Sequence, residues 1–384
     1  MGKNIAKIFC SRCVMDTDIP EIEFDINGEC NYCKLYDELD FEYPINNERS
    51  ERILNDLISK IKKDGVNKEY DSIVGLSGGT DSCYTLYKAK ELGLRPLAVH
   101  FDNGWNSETA VNNIKIVTKA LNVDLYTYVV DWEEFKDLQL SFLKAAVPDV
   151  ELPTDWGIHG CLYKVATENN VRYILTGITF RAEGNMPSGW AYADGKYIQS
   201  VQKTFGKKSL KTFPQMTLNR MLYYLFIKKI KLIRFLNYFD YSKQEAKNIL
   251  GRELGWIDYG GHHYESVFTR FYQSYISPVK YKMERRKVSL SAQVRSGHIT
   301  REEALEILKN NSYIDKLLKD DKIYIAKKFG LKLQELDDIL NLRNRSFKDF
   351  KTYFPLFRKL RYFIKIASKL KIIPVFYHMN KYNI

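Results

Sequence analysis

The segment that most constrains this chain is a short apolar run, Ser72–Leu76. It breaks into Ser77-Gly78-Gly79-Thr80-Asp81-Ser82 and then into a helical pattern that closes at Gly93. A bounded apolar run of this length reads as a buried strand, and Cys83, Leu86, Tyr87 and Ala89 recur at roughly helical spacing. Two glycines let the backbone approach an anion closely. The helix N-terminus beyond them offers unpaired N–H groups and the positive end of a dipole. Ser77, Thr80 and Ser82 add hydroxyl donors, and Asp81 is a candidate to hold a Mg²⁺ that bridges phosphates. The Gly-Lys-Ser/Thr ending of a Walker loop is missing, and so is the G-x-G-x-x-G of a dinucleotide fold.

The pattern continues downstream. Arg95–Phe101 reads as a strand ending in Asp102-Asn103-Gly104, Ser107–Leu121 as a helix and Leu125–Val130 as a strand. Trp132–Ala146 then reads as a helix and Tyr173–Thr176 as a strand ending at Gly177. Strands alternating with helices predict an α/β fold with a doubly wound parallel sheet, whose ligands sit at the C-terminal strand ends. The turns at Ser77, Asp102 and Thr176 then face one crevice, and Asp102 with Thr176-Gly177 is expected to flank a nucleoside. A chain of 384 residues has room for more than one module. The expected division is a metal-binding module over 1–45, the core over 46–200, a helical substrate or partner region over 201–350 and a basic amphipathic tail over 351–384.

Four of the six cysteines, Cys10, Cys13, Cys30 and Cys33, form C-x2-C-x16-C-x2-C. Each C-x2-C pair can point two sulfurs at one ion, and Zn²⁺ takes four in a tetrahedron. Asn27-Gly28 marks a hairpin turn that would return the second pair to the first. Two disulfides and an iron–sulfur cluster use the same residues; a cytosolic chain disfavours the first. A site filled by four protein ligands is structural. Cys83 reads as a buried helix residue, and Cys161 as packing or a reactive thiol.

The net charge of +12 is local. Residues 203–235 carry nine cations and no acid, and residues 351–384 carry eight and no acid. Both segments interleave cations with Phe, Tyr, Leu and Ile, as in MLYYLFIKKIKLIRF. A core-facing helix with snorkelling lysines, a helix on an anionic membrane and an RNA-facing helix all fit that pattern. The Met1–Phe9 start has no apolar signal core, and no stretch is apolar enough to span a bilayer. The expected location is cytoplasmic, with peripheral contact at the inner membrane as an option.

As a string, SGGTDS resembles the S-G-G-x-D-S signature of the PP-loop in N-type ATP pyrophosphatases. With CVMD (Cys13–Asp16), HFDNGWNSE (His100–Glu108), DWGIHG (Asp155–Gly160), ILTG (Ile174–Gly177) and GWIDYGGHHYESVFTRFYQSYISP (Gly255–Pro278), the chain resembles the N-acetyl sugar amidotransferases of bacterial surface-glycan pathways, such as lipopolysaccharide O-antigen synthesis. The likeness runs from about Cys10 to Leu305.

It implies ATP, Mg²⁺ and Zn²⁺ as cofactors, with ATP held by Ser77, Gly78, Gly79, Thr80, Asp81 and Ser82. It implies adenylation of an N-acetamido oxygen on a nucleotide sugar or nonulosonic acid. Ammonia from a separate glutaminase with a cyclase-like subunit then attacks to give an acetamidino group. Arg270, Lys280, Arg285 and Arg286 are candidates to neutralise phosphate, and Trp105 and GGHHYES are placed on the sugar side. Glu183, in RAEGNMPSGW, is the candidate base for the ammonia proton; the other reading is a solvated glutamate in a Gly-rich turn. Two positions depart from the family pattern. Thr80 stands where Lys is common, and Glu284-Arg285-Arg286 stands where Asp-Lys-Arg is expected, so a phosphate-binding lysine must come from elsewhere. A PP-loop tRNA thiolation enzyme is the alternative, although nucleic acid is the less favoured partner because only Cys83 and Cys161 remain to carry sulfur.

Overall fold

The computed structural model describes residues 7–261, 264–310 and 315–369. Its centre is a parallel sheet of β1 (Ser72–Gly75), β2 (Pro96–Asp102), β3 (Leu125–Val129), β4 (Tyr173–Thr176) and β5 (Lys231–Arg234), in the order β3-β2-β1-β4-β5. The first four strands lie where the apolar runs place them.

Alternation along the strands sorts two cores. Ile73, Leu97, Val99 and Ile174 pack with Phe135, Phe142, Leu162 and Val165 on one face. Val74, Ala98 and Leu175 meet Leu86, Ile114 and Leu250 on the other. Successive strand side chains point to opposite faces, so strands apolar throughout need helices on both sides. Trp132–Ala145 and Leu152–Glu168 cover the first face; Thr80–Glu91, Glu108–Ala120 and Lys243–Leu254 cover the second. The fold is the expected doubly wound α/β sheet.

β5 departs from the expected core boundary at residue 200. Helical turns run from Leu218 to Ile227, Lys229 takes a φ of +54°, and Lys231–Arg234 then pairs in parallel with Tyr173–Thr176. Interleaved cations and aliphatics suit a half-wet edge strand as well as an amphipathic helix. The free edge of β4 decides between them, and local pattern does not encode it.

The chain moves outward from β1 to β3, then returns past β1 to β4 and β5. Strand order therefore reverses between β1 and β4. Sheets of this type bind ligands at that point, beyond the C-terminal strand ends. The described residues beyond 280 are largely helical, and among the described residues no helix is long and apolar enough to cross a membrane.

Candidate functional site

The loop after β1 is built from its own residues. Ser82 Oγ accepts from the Ser77 N–H at 3.1 Å and donates to the Gly79 carbonyl at 3.1 Å. Gly78 has a φ of +82°, and a Cβ there would lie 2.3 Å from the Ala110 carbonyl oxygen. Only glycine fits. Trp256 Nε1 donates to the Gly78 carbonyl at 3.0 Å, and the Thr80 N–H donates to the Tyr259 hydroxyl at 3.2 Å.

The other two strand ends close on this loop. A Cβ on Gly177 would sit 2.6 Å from the Asp81 carbonyl oxygen, so the turn after β4 lies against the loop. His100 Nδ1 meets the Leu76 carbonyl at 2.8 Å and must donate to it, which leaves Nε2 to accept from the Asn106 amide at 3.1 Å. That pair anchors the turn in which Asp102 accepts from the Gly104 N–H at 2.9 Å. Asn106 in turn bridges to Ser266, and the Ser107 N–H donates to the Glu265 carbonyl. The segment Tyr259–Ser266 thus runs from the loop to the end of β2; its His262 and His263 lie outside the described residues.

At the loop's helix end, four side chains converge. Lys243 Nζ lies 3.1 Å from Asp81 Oδ2, and the Tyr241 hydroxyl donates to Asp81 Oδ1. Glu183 lies beside Asp81 and in the field of Lys243. Burial alone would raise the Asp81 pKa, but the Lys243 ammonium and the Tyr241 hydrogen bond outweigh it and hold the carboxyl below its ordinary range. The same burial would lower Lys243, yet the carboxylates of Asp81 and Glu183 push it upward. Asp81 and Lys243 keep 17% and 25% of their side-chain surface exposed, enough for a ligand to reach them. Asp81, the expected Mg²⁺ holder, and Glu183, the expected base, are therefore neighbours, although 102 positions separate them. Lys243 places a cation beside the loop, where Thr80 supplies none. Sequence reasoning missed it, and its one local signal is its place as the first residue of a helix with Ser242 as cap.

Several expected residues do other work. Trp105 is 1% exposed, enclosed by Trp132, Phe268 and Phe329, and is a core residue rather than part of a sugar platform. Arg270 is held by both Asp321 oxygens, at 2.8 and 2.6 Å. Lys280 donates to the carbonyls of Leu340 and Leu342, Arg285 to the Tyr272 hydroxyl, and Arg286 to Glu284. Each of these four cations thus has a partner within the protein, although the Arg285 Nε is buried with none. Cys83 and Cys161 are buried, and burial pushes the Cys161 thiol up to about 12. Neither offers the exposed thiolate that a sulfur carrier needs.

The four N-terminal cysteines are fully buried and lie within 4.8 Å of one another. Cys10–Cys33 and Cys13–Cys30 sulfurs are 3.7 Å apart, and Cys30–Cys33 sulfurs 3.6 Å. A tetrahedron of ~2.3 Å metal–sulfur bonds has an edge of about 3.8 Å, so one ion fits. A disulfide needs ~2.05 Å, and a multi-iron cluster distributes its thiolates over several metals. Asp25 shapes the expected hairpin by accepting from Asn27 and Glu29, and Gly28 turns it at a φ of +76°. Arg295 donates to the Cys33 and Cys13 sulfurs at 3.2 and 3.1 Å, offsetting thiolate charge. Lys287 pairs with Asp16, and Arg301 donates to the Cys10 and Cys13 carbonyls. The module is thereby bound to helices from the far end of the chain.

The loop, the sheet order and the cysteine cluster define an α/β protein with a glycine-rich anion loop at the switch point of a parallel sheet and a cluster of four thiols that could hold a metal ion. Residues 265–361 match the family described as LPS biosynthesis protein WbpG-like, C-terminal domain. Over those residues the match bears out the likeness to surface-glycan enzymes read from the sequence. An uncharacterized protein of Methanocaldococcus jannaschii is 35% identical over 131 residues, 33% of this chain and 45% of its own length. The tRNA(Ile)-lysidine synthase of Chlamydia pneumoniae is 35% identical over 78 residues, 19% of this chain and 24% of its own. The match thus spans less than half the length of either relative. Among solved structures, NMN synthetase from Francisella tularensis aligns with a TM-score of 0.28 at 16% identity, over 54% of this chain and 94% of that one. A predicted subunit of tRNA methyltransferase from M. jannaschii aligns at 0.28 and 12%, over 47% and 75%.

Proposed function

We propose that the protein is an ATP-dependent N-acetyl sugar amidotransferase of surface-glycan synthesis. The observation that carries this reading is the convergence of Asp81, Lys243 and Glu183 on a glycine loop, in a chain whose C-terminal region is WbpG-like. An amide carbonyl is a poor electrophile with a poor leaving group. Transfer of AMP to its oxygen forms the O–P bond, breaks the bond between the α-phosphorus and its bridging oxygen and releases pyrophosphate. The imidate carbon then accepts the ammonia lone pair, a proton leaves the nitrogen and the C–O bond breaks to release AMP.

The residues have the chemistry for these steps. Loop amides and the hydroxyls of Ser77, Thr80 and Ser82 would cradle phosphates, and Lys243 would neutralise their charge. Asp81 is the residue that would hold Mg²⁺, which supplies further charge stabilisation when bound. Glu183 would accept the ammonia proton, given reach to the attacking nitrogen. The four cysteines would hold a structural Zn²⁺. The sugar would be a nucleotide sugar or nonulosonic acid, and a separate glutaminase with a cyclase-like subunit would deliver ammonia. The thiolation alternative is weaker because both spare cysteines are buried.

The test is AMP and pyrophosphate formation with ammonium chloride across a panel of N-acetylated sugars, with the amidine read by mass spectrometry. One sugar should yield AMP and amidine in equal amounts; AMP formed with no sugar dependence overturns the reading. Glu183→Gln should bind ATP as the parent does and lose amidine formation by about 10²–10⁴-fold, the usual contribution of a positioned base. Equal loss of ATP binding would make Glu183 a structural residue.

A further inference from the structure

We propose that the turns Leu218–Ile227 and the helix Phe354–Lys369 together form a docking surface for an anionic lipid bilayer. The two belong to the two acid-free basic segments, which lie far apart in sequence. The fold brings them to one place. Leu222, Leu225 and Phe226 from the first, with Phe357, Leu360 and Phe363 from the second, line a single apolar cleft of about 810 Å³.

Its rim is also apolar and open. Phe226 is 45% exposed, Ile227 69%, Tyr362 69% and Phe363 68%. Scattered exposed apolar residues are ordinary, but a contiguous patch marks an interaction surface. Arg220 and Lys229 on one segment and Arg358, Lys359 and Arg361 on the other are exposed, and neither segment has an acid to offset them. At helical periodicity Phe357, Leu360, Phe363 and Ile364 share one side, with Lys359 and Arg361 at its two edges and Arg358 opposite. Acids do line the cleft, Asp149 and Asp194 buried at its base and Glu21 exposed at its edge, but the two segments themselves present an apolar, aromatic face edged by cations, which complements anionic headgroups above acyl chains. Two separate segments with cations and no acid are not needed to seat a protein. The surface uses none of the residues assigned to the ATP site, so the two readings stand or fall separately.

The test is co-sedimentation of the full chain with vesicles of phosphatidylcholine alone and of phosphatidylcholine with phosphatidylglycerol. Binding should require phosphatidylglycerol and disappear at ~1 M salt, where the screening length is about 3 Å. Each cation near such a surface changes partitioning about fivefold, so Arg358→Glu with Arg361→Glu, and separately Lys228→Glu with Lys229→Glu, should weaken binding more than tenfold. Phe363→Ser should weaken it in low salt too, and unchanged thermal melting checks that each variant folds. No binding to anionic vesicles at low ionic strength overturns the proposal, as does equal binding to neutral vesicles. A parent dimer that Phe363→Ser converts to monomer, with no vesicle binding by either, assigns the face to a second copy instead.

Discussion

Lys243→Ala is expected to lower pyrophosphate release by about 10²–10³-fold, the scale of losing one preorganised charge partner at a reacting phosphate. The substitution removes the cation paired with Asp81 and leaves Asp81, 17% exposed, with Tyr241 as a remaining hydrogen-bond donor. Without the ammonium, burial dominates and the Asp81 pKa rises. Activity should then fall on acidification at a higher pH than in the parent, because the carboxylate is the form that holds a cation. Asp81→Ala should lose activity by at least as much, and the double variant should be little worse than either single one, since the pair acts as a unit. Pyrophosphate release and calorimetric ATP binding over pH 5–8 read all of these. Parental turnover by Lys243→Ala would move the phosphate site away from this loop.

Removal of the metal should have the largest effect on stability. One zinc per chain is expected by elemental analysis, and strong chelation or Cys30→Ser should lower the melting temperature well beyond the ordinary range of single substitutions. Structural zinc binding is worth ~10–16 kcal/mol in small domains, comparable to the whole stability of many proteins. The loss should not stay at the N-terminus. Arg295, Lys287 and Arg301 tie the cluster to Arg286–Arg295 and the helix after it, so hydrogen exchange should quicken there too. Arg295→Ala should keep the four ligands and weaken zinc about 10–100-fold, as removal of an outer partner does. Iron in place of zinc, or full stability with the metal gone, would refute the assignment.

What the sequence by itself determined is local. The strand, glycine loop and helix around Ser77–Ser82 are legible because hydrophobic period and turn chemistry act over a few residues. The cysteine spacing is legible for the same reason, since two short knuckles already carry the ligand geometry. What only the tertiary structure decided involves residues whose partners are distant in the chain. Lys243 reaches Asp81 because the helix Lys243–Leu254 packs beside Thr80–Glu91, and nothing near Lys243 in sequence names that neighbour. Trp105 sits in a turn where an exposed aromatic is plausible; Trp132, Phe268 and Phe329, from three other segments, bury it. Arg270 looks like a phosphate ligand until Asp321 closes on it, and β5 looks helical until the edge of β4 claims it. Each of these outcomes depends on which surfaces the folded sheet brings together, and long-range packing sets that choice, whereas pattern and propensity act only along a short stretch of chain.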